Sequence, residues 1–203
     1  KILRSLDYTY QRENTVSDFR QDFSFKNGQH YSVRGLGSSI AALSFGNDIH
    51  VLQQQLGQCD IELNEKEESV TTGGAVSLLD IYRYLTPRGF HLKSVPSHPS
   101  ATVGGCIGYN AHGQNHERDG CFCDHLLSFD LLHPRYGFMH IKPDNEVYDL
   151  TVNGFGLTGV IVKATLKVYR LKSNRVSYVR LPFNAIQESY DLFLQYKGKY
   201  DFY

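Results

Sequence analysis

The stretch GFGLTGVIVKATLKVYRL, residues 154–171, decides the fold class. Its first six residues spell G-x-G-x-x-G, the fingerprint with which doubly wound folds hold a pyrophosphate at a helix N-terminus. That chemistry needs a helix directly after the third glycine. Instead Val162, Ala164, Leu166 and Val168 alternate with Lys163, Thr165, Lys167 and Tyr169. A period of two rich in β-branched residues predicts a strand, so the fingerprint fails on context. Any dinucleotide bound by this chain is bound by another kind of fold.

Outward from that strand, LLSFDLLHPRYGFMHI reads as two strands around a turn at Pro134 to Gly137. CDIELNEKEESVTTG reads as a hairpin whose acidic NEKEE is a solvated turn. Ser77 and Asp80 supply a helix cap, Leu78, Tyr82 and Leu85 make an apolar stripe, and Pro87 and Gly89 end the helix. QHYSVRG is a strand entering a glycine loop, and residues 15–27 carry the spacing of a short helix. Near the end, residues 182–198 form an amphipathic helix. Asn184 and Gln187 are its capping box, Ile186, Tyr190 and Phe193 its stripe, and Gly198 its stop. The final KYDFY resembles the opening of another strand, which predicts that the chain is part of a longer protein.

The 203 residues carry 21 Lys plus Arg against 21 Asp plus Glu, with no basic stripe. Charge therefore argues against a nucleic-acid or anionic-membrane surface. No run approaches the roughly 18 apolar residues that span a bilayer. Four cysteines, Cys59, Cys106, Cys121 and Cys123, are too few for a disulfide scaffold and fit a reducing, cytoplasmic setting.

Three glycine-rich segments lie at element ends: residues 34–39, 101–113 and 154–159. Glycine lets backbone N–H groups approach a ligand and accepts φ > 0, which is how loops build anion-binding nests. The first segment is neither a Rossmann loop, since Ile40 takes the third glycine position, nor a P-loop. The second lies within residues 94–115, which carry no Asp, Glu, Lys or Arg. Fixed backbone dipoles without mobile charges suit a flat redox cofactor with a pyrophosphate.

The ordered set VRGLGSS, TVGG, HGQNH followed by Gly120, LLSFDLL and GLTGVIVKATL resembles the FAD-binding domain of the vanillyl-alcohol oxidase / p-cresol methylhydroxylase superfamily. Within it the likeness is to the decaprenylphosphoryl-ribose oxidase type, over residues 28–172. The resemblance implies an α+β fold of two α/β subdomains, a small mixed sheet with helices and a larger, mainly antiparallel sheet. The corresponding boundaries are residues 1–95 and 96–175, with 176–203 opening a truncated substrate (cap) domain. By the same resemblance Arg34, Gly35, Leu36, Gly37, Ser38 and Ser39 hold the pyrophosphate. Thr102, Val103, Gly104 and Gly105 cradle the pyrophosphate and ribityl side. Tyr109, Asn110 and His112 lie along the isoalloxazine ring, Ser97 is a further cofactor-binding residue, and the backbone of Val160 meets the adenine. His112 and Gln114 are the candidates for contact with the chemistry.

The chain departs from the family at three points. Ser38 and Ser39 stand where many members carry a flavin-linking histidine, which predicts non-covalent FAD. Gln114 stands where the ribose-oxidase type has lysine, and SHPSA replaces a glycine-bearing segment before TVGG. His112 and His116 have H-x-x-x-H spacing, but the surrounding glycines oppose the helix that a zinc pair needs, so no metal site is predicted.

The resulting expectation is an FAD-dependent oxidoreductase acting on the CH–OH group of a polyol, sugar or lipid-linked sugar, with oxygen or another carrier as electron acceptor. The isolated chain is expected to be inactive, and peripheral membrane association fits a lipid-linked substrate. The competing class is a non-catalytic flavin-binding module or subunit without a substrate domain.

Overall fold

A computed structural model describes residues 1–20, 22–54, 61–173 and 175–200, with the Gln54 side chain left out. The chain opens with a hairpin, β1 (Ile2–Arg4) and β2 (Gln11–Glu13), paired antiparallel. Three strands follow in a small sheet: β3 (Val16–Phe19), β4 (His30–Arg34) and β5 (Ile49–Gln54). Its order is β3-β5-β4 and both pairings are parallel. The small sheet is thus wholly parallel rather than mixed. The helix expected over residues 15–27 is replaced by β3. The Phe19 and Phe23 spacing that mimics a helix serves a tertiary cluster, in which Phe23 packs edge-on against Phe25 and Tyr31.

Next come β6 (Ile61–Asn64), β7 (Ser69–Gly73), α1 (Leu78–Leu85) and β8 (Phe90–His91). As expected, Ser77 caps α1 by accepting from Asp80 N–H, and Leu78, Ile81 and Leu85 are buried beneath it. Cys59 and Asp60, which open the expected hairpin, lie outside the described residues. Then follow α2 (Val103–Tyr109), α3 (His116–Asp119), β9 (Leu126–His133), β10 (Gly137–Ile141), α4 (Glu146–Thr151), β11 (Val160–Lys167), β12 (Tyr169–Arg170) and α5 (Ile186–Tyr196).

The large sheet is antiparallel throughout, in the order β10-β9-β11-β7-β6. It takes two strands from before residue 95 and three from after it, so its hydrogen bonds cross the expected boundary. The 154–171 stretch supplies its central strand. A register shift between Ile161 and Lys163 marks a bulge. Beyond it Ala164, Leu166 and Val168 face the main core, and before it Ile161 faces that core while Val160 and Val162 turn to a second cluster. One extra residue at a bulge reverses the alternation in this way. The second cluster joins the sheets, because Leu132 and Val160 of the large sheet meet Phe19 and Leu52 of the small one.

The helix α5 buries no residue, and its N-cap is Ala185 with no side-chain cap bond. Instead of the expected Asn184–Gln187 box, Asn184 N–H donates to Glu188 Oε2 at 2.9 Å. An ion pair between Lys197 and Glu117 ties its end to α3. The strand expected from KYDFY lies largely outside the described residues. Among those described, no helix is long and apolar enough to cross a membrane.

Candidate functional site

The three glycine segments meet around one cleft of about 540 Å³ between the two sheets. Its lining contains no Asp, Glu, Lys or Arg among the described residues, and its apolar surface includes Leu36, Ile40, Leu43, Phe155 and Ile161.

The first wall is the loop leaving β4. Gln53, on the neighbouring strand β5, donates its Nε2–H to the carbonyls of Arg34 (3.1 Å) and Gly35, which turns the chain out of the sheet. Gly37 sits at φ +75°, a conformation that L side chains rarely adopt. Ser39 O accepts from Leu6 N–H of the hairpin at 2.9 Å. The N–H groups of Leu36, Gly37, Ser38 and Ser39 have no partner among the described residues, and neither do the two serine hydroxyls. Four adjacent donors left open on a loop beside a cleft suit an anionic ligand.

The second wall is α2, and there the backbone is already committed. Val103 N–H donates to Val76 O at 3.0 Å, Gly104 N–H to Gly74 O at 2.8 Å, and Gly105 N–H to the cap hydroxyl of Thr102 at 3.2 Å. The glycines at 104, 105 and 108 therefore offer the cleft smooth backbone surface rather than donors. The walls touch at one point, where a Cβ on Gly35 would lie 2.4 Å from Thr102 Oγ1.

GFGLTG caps the far end of α2. Asn153 N–H donates to Ile107 O at 3.1 Å and Phe155 N–H to Gly108 O at 2.8 Å, satisfying carbonyls that a helix end leaves orphaned. Asn153, Phe155 and Gly156 all have positive φ to make this turn. It also sets Phe155 edge-on to Tyr109 on the cleft rim, with ring centres 5.8 Å apart. The motif therefore serves the cleft as a helix cap and strand lead-in, without gripping phosphate as the Rossmann motif does.

Of the residues named from sequence, Gly35, Leu36, Gly37, Ser38, Ser39, Thr102, Gly104, Gly105, Tyr109 and His112 line the cleft. Arg34 lies beneath the first wall. Val103 and Val160 are buried, and it is Gly159 and Ile161 beside Val160 that reach the cleft. Ser97, Asn110 and Gln114 lie off the lining. Asn110, at φ 44°, closes α2 and accepts from Cys123 N–H at 3.3 Å, and Gln114 is exposed. Sequence reasoning passed over Phe155, inside a quoted motif, and His98, beside Pro96 on the rim. It also left Cys106 unassigned.

His112 and His116 are neighbours, with rings 4.9 Å apart, and the Nδ1 of each faces the carbonyl of Gly113, at 3.4 and 3.0 Å. They do not share a helix, since α3 begins at His116. No group of three or more His, Cys, Asp or Glu that could hold a metal occurs among the described residues. Beneath them Asp119 anchors the segment. It meets Lys93 Nζ at 3.0 Å and Arg118 Nη2 at 2.6 Å, and accepts from Asn115 Nδ2 at 2.8 Å. Burial pushes its pKa up, but hydrogen bonds from Arg118, Asn115 and Lys93 outweigh that and hold it well below the carboxylate range. Cys106, on the cleft, and Cys123, behind it, are pushed up to about 12 by burial, which leaves both thiols unreactive near neutral pH.

Open donors together with apolar and aromatic surface in one cleft fit a ligand that has an anionic group and flat apolar parts. A Cβ on Gly156 would meet nothing within 4 Å, so that side of the cleft has room to spare. The donor set matches a flavin dinucleotide.

Comparison with known proteins agrees with this fit. A family model described as FAD binding domain matches residues 20–137. Decaprenylphosphoryl-beta-D-ribose oxidase of Mycolicibacterium smegmatis is 35% identical over 144 residues, covering 70% of this chain and 31% of that protein. L-gulonolactone oxidase 3 of Arabidopsis thaliana is 25% identical over 166 residues, covering 77% of this chain and 28% of that protein. Among solved structures, an alkyldihydroxyacetonephosphate synthase shares the fold with a TM-score of 0.62 at 18% identity, over 70% of this chain and 27% of its own. The chain thus spans less than a third of each of these proteins.

Proposed function

The chain belongs to the FAD-binding domain family of p-cresol methylhydroxylase type, several of whose matched relatives are oxidases, and from that premise we propose that it is the cofactor-binding part of an enzyme oxidising a CH–OH group of a polyol, sugar or lipid-linked sugar. The observation that carries this reading is the open amide run of residues 36–39, set in a cleft without charged side chains. The names of two relatives, a ribose oxidase and a gulonolactone oxidase, support a sugar-like donor.

FAD, once bound, would supply the hydride-accepting ring and the path of electrons onward to an acceptor. This chain's residues bind and orient it. Leu36, Gly37, Ser38 and Ser39 would donate to the pyrophosphate, while the glycine faces of 104, 105 and 108 would let flat surface lie close. Ile40, Leu43 and Phe155 would offer the cofactor apolar surface. His112, exposed at its edge, offers a polar side chain where substrate approaches, and its role is positional or electrostatic. With neither His nor Tyr at Ser38 or Ser39, the cofactor is held without a covalent link. The same reading takes oxygen or another carrier as acceptor and a cytoplasmic setting, and has the chain inactive without further substrate-binding residues.

A second reading, a flavin-binding module without catalysis, draws on the scarcity of proton-transfer groups in the lining, where His98 and His112 are the imidazoles among the described residues. An absorption spectrum of the purified protein before and after acid precipitation tests the first premise. Flavin bands that move to the supernatant are expected. Bands retained in the pellet would mean a covalent link, and no uptake of added FAD would overturn the reading. Reduction of the bound flavin by a panel of sugars and sugar alcohols, assayed on the full-length protein rather than on this chain alone, then separates enzyme from module.

A further inference from the structure

Two Asn-Gly pairs occur in the chain, Asn27-Gly28 and Asn153-Gly154. The side-chain amide of an asparagine is open to attack by the backbone nitrogen of the next residue, and glycine has no side chain to hinder that approach. The fold treats the two pairs differently. Residues 26–29 form a turn closed by Gln29 N–H donating to Lys26 O at 3.3 Å. Gly28 takes φ +75° while Asn27 keeps a negative φ, the pattern of a type II turn. Both residues are exposed, and a Cβ on Gly28 would meet nothing within 4 Å. Neither the Gly28 N–H nor the Asn27 side-chain amide has a partner among the described residues.

Around Asn153 the reverse holds. Gly154 N–H donates to Thr151 O at 3.0 Å, Asn153 N–H donates to Ile107 O at 3.1 Å, and a Cβ on Gly154 would collide with Leu150 O. The ends of the open turn, by contrast with its middle, are anchored. Lys26 N–H donates to the Tyr31 hydroxyl at 3.0 Å, that hydroxyl donates to Gln29 Oε1 at 3.0 Å, and Gln29 Nε2 lies 2.8 Å from His50 Nδ1. These anchors hand the chain to β4.

We infer that Asn27 is a spontaneous modification site, at which water converts the asparagine to aspartate and isoaspartate. The Gly28 amide gives its proton to base, and its nitrogen bonds to Asn27 Cγ as the side-chain nitrogen leaves as ammonia. Water then opens the five-membered imide. Opening at Cγ gives aspartate, and opening at the α-carbonyl routes the backbone through the side chain to give isoaspartate. Nothing is oxidised or reduced, and water is the only co-reactant. Each product adds one negative charge to a chain whose formal charges balance. Isoaspartate also inserts one backbone carbon between Lys26 and Gln29, which pulls against the Tyr31–Gln29–His50 contacts at the entry to β4. The site does not depend on what the cleft binds.

The test holds the full-length protein at mildly alkaline pH and follows both Asn-Gly pairs over time by peptide mass mapping, natively and in urea. In the native protein Asn27 is expected to be lost at least about tenfold faster than Asn153, because the attacking Gly154 amide must first give up its hydrogen bond. In urea both local structures are gone and the two rates should converge. Equal native rates would overturn the inference. So would a native difference that persists unchanged in urea, since neighbouring sequence rather than the turn would then set it. Hydrogen exchange in the aged protein and in Asn27→Asp, which adds the charge without the extra carbon, checks the effect on β4. Faster exchange of β4 amides is expected in the isoaspartyl fraction and not in Asn27→Asp. Equal protection in the two would overturn the link from this site to β4.

Discussion

The two walls of the cleft are both glycine-rich and use their glycines in opposite ways. Between Gly35 and Ser39 the chain leaves a sheet without entering another element, and four amides stay open. From Thr102 to Gly105 it enters a helix whose opening amides are spent on Val76, Gly74 and the Thr102 hydroxyl. The first wall can bind because it is unfinished, and the second can shape because it is complete. Glycine content alone therefore does not identify a phosphate grip. What separates the two is the bonding state of the backbone.

The largest effect is expected where the walls touch. Gly35→Ala would press a methyl group against Thr102, a buried side chain held in its cap, and should cost about 3 kcal/mol by chemical denaturation. An unchanged stability would show that the walls are not in register. Next is Asp119, which anchors the segment carrying His112 and His116. Removing its carboxylate in Asp119→Ala should cost about 2 kcal/mol, the loss of charge-assisted bonds to Lys93, Arg118 and Asn115. Because its folded pKa is lowered, its stabilisation is complete above its ordinary pKa of 3.8 and is lost as pH falls from there through the folded value. Stability of the variant should therefore fall less steeply in acid than that of wild type, and parallel curves would refute the assignment.

Smaller effects separate binding from folding. Ser38→Ala should weaken FAD about tenfold while changing stability by less than about 0.5 kcal/mol, since its hydroxyl has no partner among the described residues. Loss of stability without loss of affinity would mean that the first wall is scaffold too. Smallest is Gly105→Ala, whose Cβ meets only Thr102 Oγ1 at 3.1 Å. Alanine in the helix should raise stability by about 0.5 kcal/mol, yet the methyl group on the cleft surface should lower FAD affinity. An affinity equal to wild type would show that the cofactor does not approach this face.

The large sheet was legible because its signals are local. The PRYG turn, the acidic turn at residues 64–68, the Ser77 cap and the alternation after Gly159 each act within a few residues. The small parallel sheet was not. Val16–Phe19 reads as helix until it is paired with Ile49–Gln54, and that pairing, set by burial of Val51 and Leu52, is not written in either segment alone. The same holds for the site. The glycine segments were visible, but the fate of their amides was not, because Gly74 and Val76 lie far from the residues they satisfy.

The place of β11 at the centre of the large sheet has a consequence for biosynthesis. Its neighbours β7 and β9 do not pair with each other, and Thr71 and Thr165, whose hydroxyls bond at 2.9 Å, are 94 residues apart. Until residue 167 has left the ribosome, the sheet exists only as two separate hairpins, and the turn that caps α2 has nothing to lead into. Long-range pairing of this kind is slow to form. Flavin capture is therefore among the last events of folding, and an arrested nascent chain ending before β11 would not retain the cofactor.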